Sequence, residues 1–200
     1  YGDGLGFDSL HWSKAKHSVT YFEVSADCYA FAEQVFLNND AQQIQMIPSE
    51  NELEPESFDV VMCLDVLEHV PDPTRLLLNI NNWLKQDGLL IVHAPFFLIH
   101  PFYSTHLKSN QKYSGSCDLF TNLGLQPVKS RLFWDPIIFK KTQQTSSKSN
   151  IPFTTRLGGS LLAQGRGRLN FIHSLLARYL SRGESHWKRD LKHRIQSYHG

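Results

Sequence analysis

Two hundred residues with 41% hydrophobic and 20% charged content and a net charge of +1 describe an ordinary globular chain, long enough for one α/β domain and an appendage. No run approaches the roughly 18 to 20 apolar residues of a membrane span, and the start lacks the basic, apolar, small-residue order of a secretory signal, so the expected address is cytoplasmic. Cys28, Cys63 and Cys117 are odd in number, widely spaced and without a Cys-x-x-Cys pair. This argues against a disulfide framework or a thiolate zinc site and for reduced, mostly buried thiols.

Tyr1-Gly2-Asp3-Gly4-Leu5-Gly6 is a tight glycine turn, and Asp8 to Lys16 after it can form a short helix. Val19 to Val24 is β-branched and aromatic and reads as a buried strand. Ser25 then caps a helix on which Cys28, Phe31, Ala32, Val35 and Phe36 recur at helical spacing, until Asn38-Asn39-Asp40 stops it. Ile44 to Ile47 is a second strand. A third, Phe58 to Leu64, follows an acidic loop and is almost entirely apolar, as a parallel strand covered on both faces should be. Pro71-Asp72-Pro73-Thr74 opens a helix running to about Lys85, which Gln86-Asp87-Gly88 closes.

Leu89 to His93 is the next strand. A loop with His100 and His106 leads to a helix near 116–123, and Pro127–Phe133 and Ile137–Lys140 read as a terminal strand pair. Strands alternating with helices in this way predict a doubly wound, Rossmann-like, mostly parallel sheet with a terminal antiparallel strand. The expected organisation is a catalytic domain over 1–141, a polar linker over 142–150 and a basic helical extension over 151–200. Residues 1–150 hold 11 Lys and Arg against 17 acidic residues, whereas 151–200 hold 9 against 2, a net of −6 against +7.

Three segments carry the chemistry. A dinucleotide fingerprint would need a third glycine where this chain has Phe7. Gly-x-Gly-x-Gly instead resembles motif I of class I methyltransferases, whose backbone amides approach the amino-acid end of S-adenosylmethionine. Seventeen residues after Gly6, at the carboxyl end of the next strand, stands Glu23. Its two oxygens can accept hydrogen bonds from both hydroxyls of a ribose in the crevice at that sheet edge.

The run Ser57-Phe58-Asp59-Val60-Val61-Met62-Cys63-Leu64-Asp65-Val66-Leu67-Glu68-His69-Val70-Pro71-Asp72-Pro73 closely resembles the fourth-strand segment of the same family. The likeness is greatest to the subgroup of ubiquinone-biosynthesis O-methyltransferases, which share Leu-Glu-His-Val-Pro-Asp-Pro. Leu84 to Val92 resembles the family's next turn and fifth strand, with Gln86 and Asp87 in place of the usual Pro and Gly. The resemblance covers about residues 1–140 and stops before the tail. It implies that S-adenosylmethionine is held by Gly2, Asp3, Gly4 and Gly6 in the turn, by Glu23 and Val24 at the strand end and by Glu50 beside the adenine. Asp65 would face the methionine part or the acceptor. In the family an acid-bearing central strand precedes motif I, and this chain starts at its last residue. That implies a fragment with the first strand missing.

His69, His93, His100 and His106 all follow strand ends on the ligand-binding edge, while His11 and His17, on the opening helix and its exit, read as structural. The resemblance favours His106 as the general base beside the acceptor, with His69 second. Asp65, Glu68 and His69 form an Asp-x-x-Glu-His cluster suited to magnesium or a similar ion. Some relatives use a Glu-x-x-Glu-His version to hold a metal, but the pattern is also widespread in metal-free members, and the reading adopted is that no metal is needed.

The expected activity is methyl transfer from S-adenosylmethionine, leaving S-adenosylhomocysteine, to an O or N atom of a small-molecule acceptor. Two rivals are a degenerate methyltransferase-like module acting through its basic tail and a nucleotide-dependent oxidoreductase. In the tail, Leu169, Ile172, Leu176 and Leu180, then Trp187, Leu191, Ile195 and Tyr198, predict two amphipathic helices. Packing of these helices on the acidic domain is preferred to contact with nucleic acid or an anionic membrane.

Overall fold

The computed structural model of the chain describes residues 1–96, 98–99, 103–114, 117–129 and 136–142. The expectations for His100, the polar linker beyond residue 142 and the basic extension fall outside the described residues. Within them the order is α1 (Phe7–Lys14), β1 (Val19–Phe22), α2 (Ala26–Asn38), β2 (Ile44–Ile47), β3 (Phe58–Leu64), α3 (Pro73–Trp83), β4 (Leu84–His93), α4 (Asp118–Thr121), β5 (Leu125–Lys129) and β6 (Ile137–Lys141). This alternation is the α/β fold that the sequence predicts. No helix among the described residues is long and apolar enough to cross a membrane.

The strands form two sheets. β1 pairs with β2 in parallel, and a second sheet runs β3-β4-β6-β5, parallel between β3 and β4 and antiparallel thereafter. Tyr1 and Gly2 join the two. The Tyr1 nitrogen donates to the Met62 carbonyl of β3 at 3.0 Å, and the Gly2 amide donates to the Phe22 carbonyl of β1 at 2.8 Å.

Local chemistry sets the helix starts. Ser25 Oγ accepts from the Cys28 amide, and the Asp72 carboxylate accepts from the Arg75 amide with Pro73 in the first turn. Both satisfy donors that a helix start leaves open. α3 ends two residues earlier than predicted. Leu84 turns extended, is fully buried in the core and pairs with Phe58, so the chain enters β4 directly. The apolar strand β3 is covered less completely than its composition suggests, since Val60 is 44% exposed. α2 likewise buries Ala32 and Phe36 but leaves Phe31 exposed.

The larger core lies between α3 and the four-stranded sheet and includes Cys63, Leu67, Leu77, Ile80, Trp83, Leu90 and Phe139. A smaller one gathers Leu10, Tyr21, Ala32 and Phe36 between α1, α2 and β1. These cores fix the carboxyl ends of β1, β3 and β4 together with the loops that follow them.

Candidate functional site

The glycine turn is held from both sides at Gly4. Its amide donates to Glu23 Oε2 at 2.9 Å, and its carbonyl accepts the Tyr21 hydroxyl at 2.6 Å. Gly4 is in the left-handed region at φ +56, and a Cβ built there would meet no atom within 4 Å. The turn therefore presents a fixed stretch of bare backbone to open space. Gly2 does the opposite. A Cβ there would lie 2.5 Å from Val66 Cγ2, so the absent side chain lets the turn close on the segment after β3. Gly6 is the residue on which α1 begins.

Glu23 sits just past β1. Its second oxygen accepts from the Ser25 amide at 2.9 Å, so the carboxylate ties the glycine turn to the start of α2. Each oxygen keeps a further acceptor site. Asp3 has a structural task at the start of α1, where its carboxylate accepts from the Asp8 amide at 3.3 Å and the Ser9 amide at 2.7 Å. Val24 is 81% exposed beside Glu23. Glu50, in the single helical turn Glu50–Glu52, accepts the Tyr1 hydroxyl at 2.9 Å. The Tyr1 ring stacks on Trp83, and burial together with the Glu50 carboxylate pushes its phenol pKa up.

At the ends of β3 and β4, Asp65 adopts φ +54, a left-handed conformation that Asp tolerates better than most non-glycine residues. Two bonds hold it to His93. The Asp65 amide donates to the His93 carbonyl at 2.8 Å, and His93 Nδ1 meets Asp65 Oδ1 at 2.7 Å. The hydrogen bond from His93 holds the Asp65 carboxyl below its ordinary pKa, against the opposing effect of burial.

Three residues further on, Glu68 is 1% exposed, and neither carboxylate oxygen has a hydrogen-bond partner among the described residues. Burial pushes this carboxyl up to about 7. His69 Nδ1 lies 3.1 Å from the Thr105 carbonyl, so Nδ1 donates and, in the neutral ring, Nε2 carries the lone pair. That Nε2 is 3.9 Å from Glu68 Oε1. His106 packs edge-on to His69 with ring centroids 4.7 Å apart. Its Nδ1 is buried without a partner, and burial followed by the neighbouring His69 lowers its pKa, against a pull upward from the Leu98 backbone.

Asn110 docks the loop that carries His106. This residue is 1% exposed, and its Nδ2 donates to the carbonyls of Leu67, Glu68 and Val70, while the Leu107 amide donates to the Glu68 carbonyl.

The structure thus makes two groups of the predicted residues. Gly2, Gly4, Glu23 and, through Tyr1, Glu50 cluster around the turn, while Glu68, His69 and His106 cluster after β3, with Asp65 paired to His93 beside them. Sequence reasoning missed Tyr21 and Asn110 as positioning residues. Tyr21 looks like any aromatic strand residue, and nothing in the sequence around Asn110 signals its contacts with a segment some 40 residues away.

The parallel strands β1 and β3 carry a glycine turn, an acid and a polar cluster at their carboxyl ends, the edge at which open α/β sheets generally bind ligands. Residues 1–92 match the family described as a methyltransferase domain. Ubiquinone biosynthesis O-methyltransferases of Glaesserella parasuis and Neisseria meningitidis are 36% identical over 81 residues and 39% identical over 62. These alignments take in 37% and 31% of this chain and 34% and 21% of the relatives, so the chain spans about a third or less of their length. A solved S-adenosylmethionine-dependent methyltransferase from Aquifex aeolicus shares the fold, with a TM-score of 0.56 at 14% identity over 70% of this chain and 79% of that one. By these matches, residues 1–92 are similar to a methyltransferase domain, and the fold is that of solved S-adenosylmethionine-dependent methyltransferases.

Proposed function

We propose that the protein transfers a methyl group from S-adenosylmethionine to a hydroxyl oxygen of a small-molecule acceptor. The observation that carries the reading is the backbone of Gly4, pinned by Glu23 and Tyr21 and facing open space at the carboxyl edge of β1. A ligand approaching that bare backbone comes within reach of the spare acceptor sites on Glu23. These suit the two hydroxyls of a ribose. Gly2, Asp3 and Gly6 shape the turn, Val24 and Glu50 would flank the adenosine part, and Asp65 would face the methionine end.

The cofactor supplies a methyl group already activated on a sulfonium, and its loss leaves S-adenosylhomocysteine. The chain must then orient the acceptor and accept its proton. His106 is suited to the second task, being kept neutral by burial and carrying an unpartnered Nδ1. The bound cofactor would supply the methyl group and keep the sulfur's electron pair, and His106 Nδ1 would accept the acceptor's hydroxyl proton. His69 Nε2 is the alternative acceptor. The choice of oxygen over nitrogen rests on this base and on the likeness to ubiquinone biosynthesis O-methyltransferases.

Calorimetric titration of the chain with S-adenosylmethionine, S-adenosylhomocysteine and a nicotinamide dinucleotide tests the reading. Saturable binding of the first two is expected. Binding of the dinucleotide alone would overturn it.

A further inference from the structure

We propose that Asn110 is a positioning residue for the methyl transfer, fixing where His106 Nδ1 stands while touching neither cofactor nor acceptor. This role rests on the reading of His106 as the base.

The segment after β3 leaves carbonyls that no regular element can satisfy. Between Leu64 and Pro73 the backbone forms neither strand nor helix, and buried carbonyls there need donors from elsewhere. Asn110 supplies them. Its Nδ2 lies 3.3, 3.2 and 2.8 Å from the carbonyl oxygens of Leu67, Glu68 and Val70. The nitrogen carries two protons for three acceptors, so one proton is shared. Asn110 is 1% exposed, and water does not compete for these bonds.

The same contacts clamp the loop that bears the base. The Glu68 carbonyl accepts from the Leu107 amide at 3.0 Å as well as from Asn110, which uses both of its lone pairs. The Asn110 amide donates to the Leu107 carbonyl at 2.9 Å and closes a turn over 107–110. His106 therefore stands one residue from a backbone clamp. On its other side the Thr105 carbonyl accepts His69 Nδ1 at 3.1 Å, but that bond is exposed, whereas the Asn110 bonds to Leu67 and Glu68 are buried. Hydrogen bonds away from water are electrostatically stronger, so Asn110 sets the position of the loop and His69 follows it. A base displaced by about an ångström can cost about 10²-fold in rate even when the altered residue lies away from the reacting atoms.

The test uses the full chain. S-adenosylhomocysteine release is measured with catechol and with phenol as acceptors, and S-adenosylmethionine is titrated by calorimetry. Asn110→Asp keeps the side chain's shape and removes both donors, and Asn110→Ala removes the amide altogether. Circular dichroism identifies which of them folds, and if neither does, Asn110 serves folding and the positioning role is overturned. A folded variant should lose kcat about tenfold or more, with cofactor affinity within about twofold of the parent. Asn81 provides the comparison. It also bonds a distant carbonyl, that of Leu123 at 3.2 Å, but joins elements that hold no residue of the site, so Asn81→Ala should keep the parental kcat. The double variant Asn110→Asp with His106→Ala should be no slower than His106→Ala alone, because Asn110 acts only through the base it places. The His69 and His106 ring centroids are 4.7 Å apart, so the parent should show a nuclear Overhauser contact between these rings that the Asn110 variant loses.

Parental kcat in a folded Asn110 variant, or a double variant that loses the product of the two single effects, overturns the positioning role. Where neither acceptor is methylated, the ring contact decides, and its survival in the variant overturns the role. A slow His106→Ala beside fast Asn110 variants rejects Asn110 alone. A His106→Ala as fast as the parent rejects the reading of His106 as the base, and the role of Asn110 with it.

Discussion

The Gly4 amide donates to Glu23 Oε2 at 2.9 Å, so the acid expected to meet the cofactor also sets the shape of the turn that would cradle it. The two functions are coupled. Glu23→Ala removes an acceptor for the ribose and releases both the Gly4 and Ser25 amides. Loss of charge-assisted hydrogen bonds of this kind costs about 1.5 to 3 kcal/mol, a fall in S-adenosylmethionine affinity of roughly 10- to 150-fold. Calorimetry measures it, and an unchanged affinity would confine Glu23 to the loop.

Gly4→Ala separates binding from folding. The site has room for a methyl group, and the left-handed φ of +56 costs a non-glycine residue about 1 to 2 kcal/mol. The methyl would project into the space through which a ligand reaches the backbone. The expected outcome is a modest drop in melting temperature with a tenfold or greater loss of cofactor affinity. Parental affinity would show that no ligand approaches Gly4.

These two residues also show what was legible in the sequence. The glycine spacing and the acid after β1 stood out because both are local patterns, and so did the strands, whose apolar runs are set by burial. Other features depended on distant partners. Leu84 left its helix early because the core took its side chain, Asp65 was tied to a histidine on the next strand, and Asn110 reached back to carbonyls at 67, 68 and 70. The Asp-x-x-Glu-His run suggested that Asp65, Glu68 and His69 act together. In three dimensions Asp65 pairs with His93, and His106 takes its place beside Glu68 and His69.

Glu68 carries a prediction about pH. Its carboxyl is raised from an ordinary 4.5 to about 7 by burial, so the folded chain retains a proton that the unfolded chain releases. A raised carboxyl contributes its full stability below about 4.5, and that contribution is lost as pH rises through about 7. Its full size is on the order of 3 kcal/mol. Melting temperatures measured in chelator should therefore fall between pH 4.5 and 7 in the parent, with a flatter profile in Glu68→Gln. Parallel profiles would show that the Glu68 carboxyl is not perturbed.

His106 and His69 share the last prediction, which concerns proton removal. Both imidazoles face Glu68, but their surroundings differ. His69 is tied through Nδ1 to Thr105 in the loop that brings His106 in, so its removal disturbs both the loop and its own Nε2. His106 contributes a buried, unpartnered Nδ1, and its burial favours the neutral ring that a base requires. General-base assistance is typically worth about 10²- to 10⁴-fold in rate, and loss of a group used only in the transition state lowers kcat and leaves cofactor affinity alone. His106→Ala should therefore reduce turnover of a hydroxyl acceptor at least tenfold, with S-adenosylmethionine affinity within about twofold of the parent. His69→Asn keeps a donor for the Thr105 carbonyl while removing the Nε2 lone pair, and so tests that atom without undoing the loop. Turnover near the parental value in His106→Ala, with a large loss in His69→Asn, would transfer the base to His69. If neither variant slows the reaction, no histidine of this cluster accepts the proton.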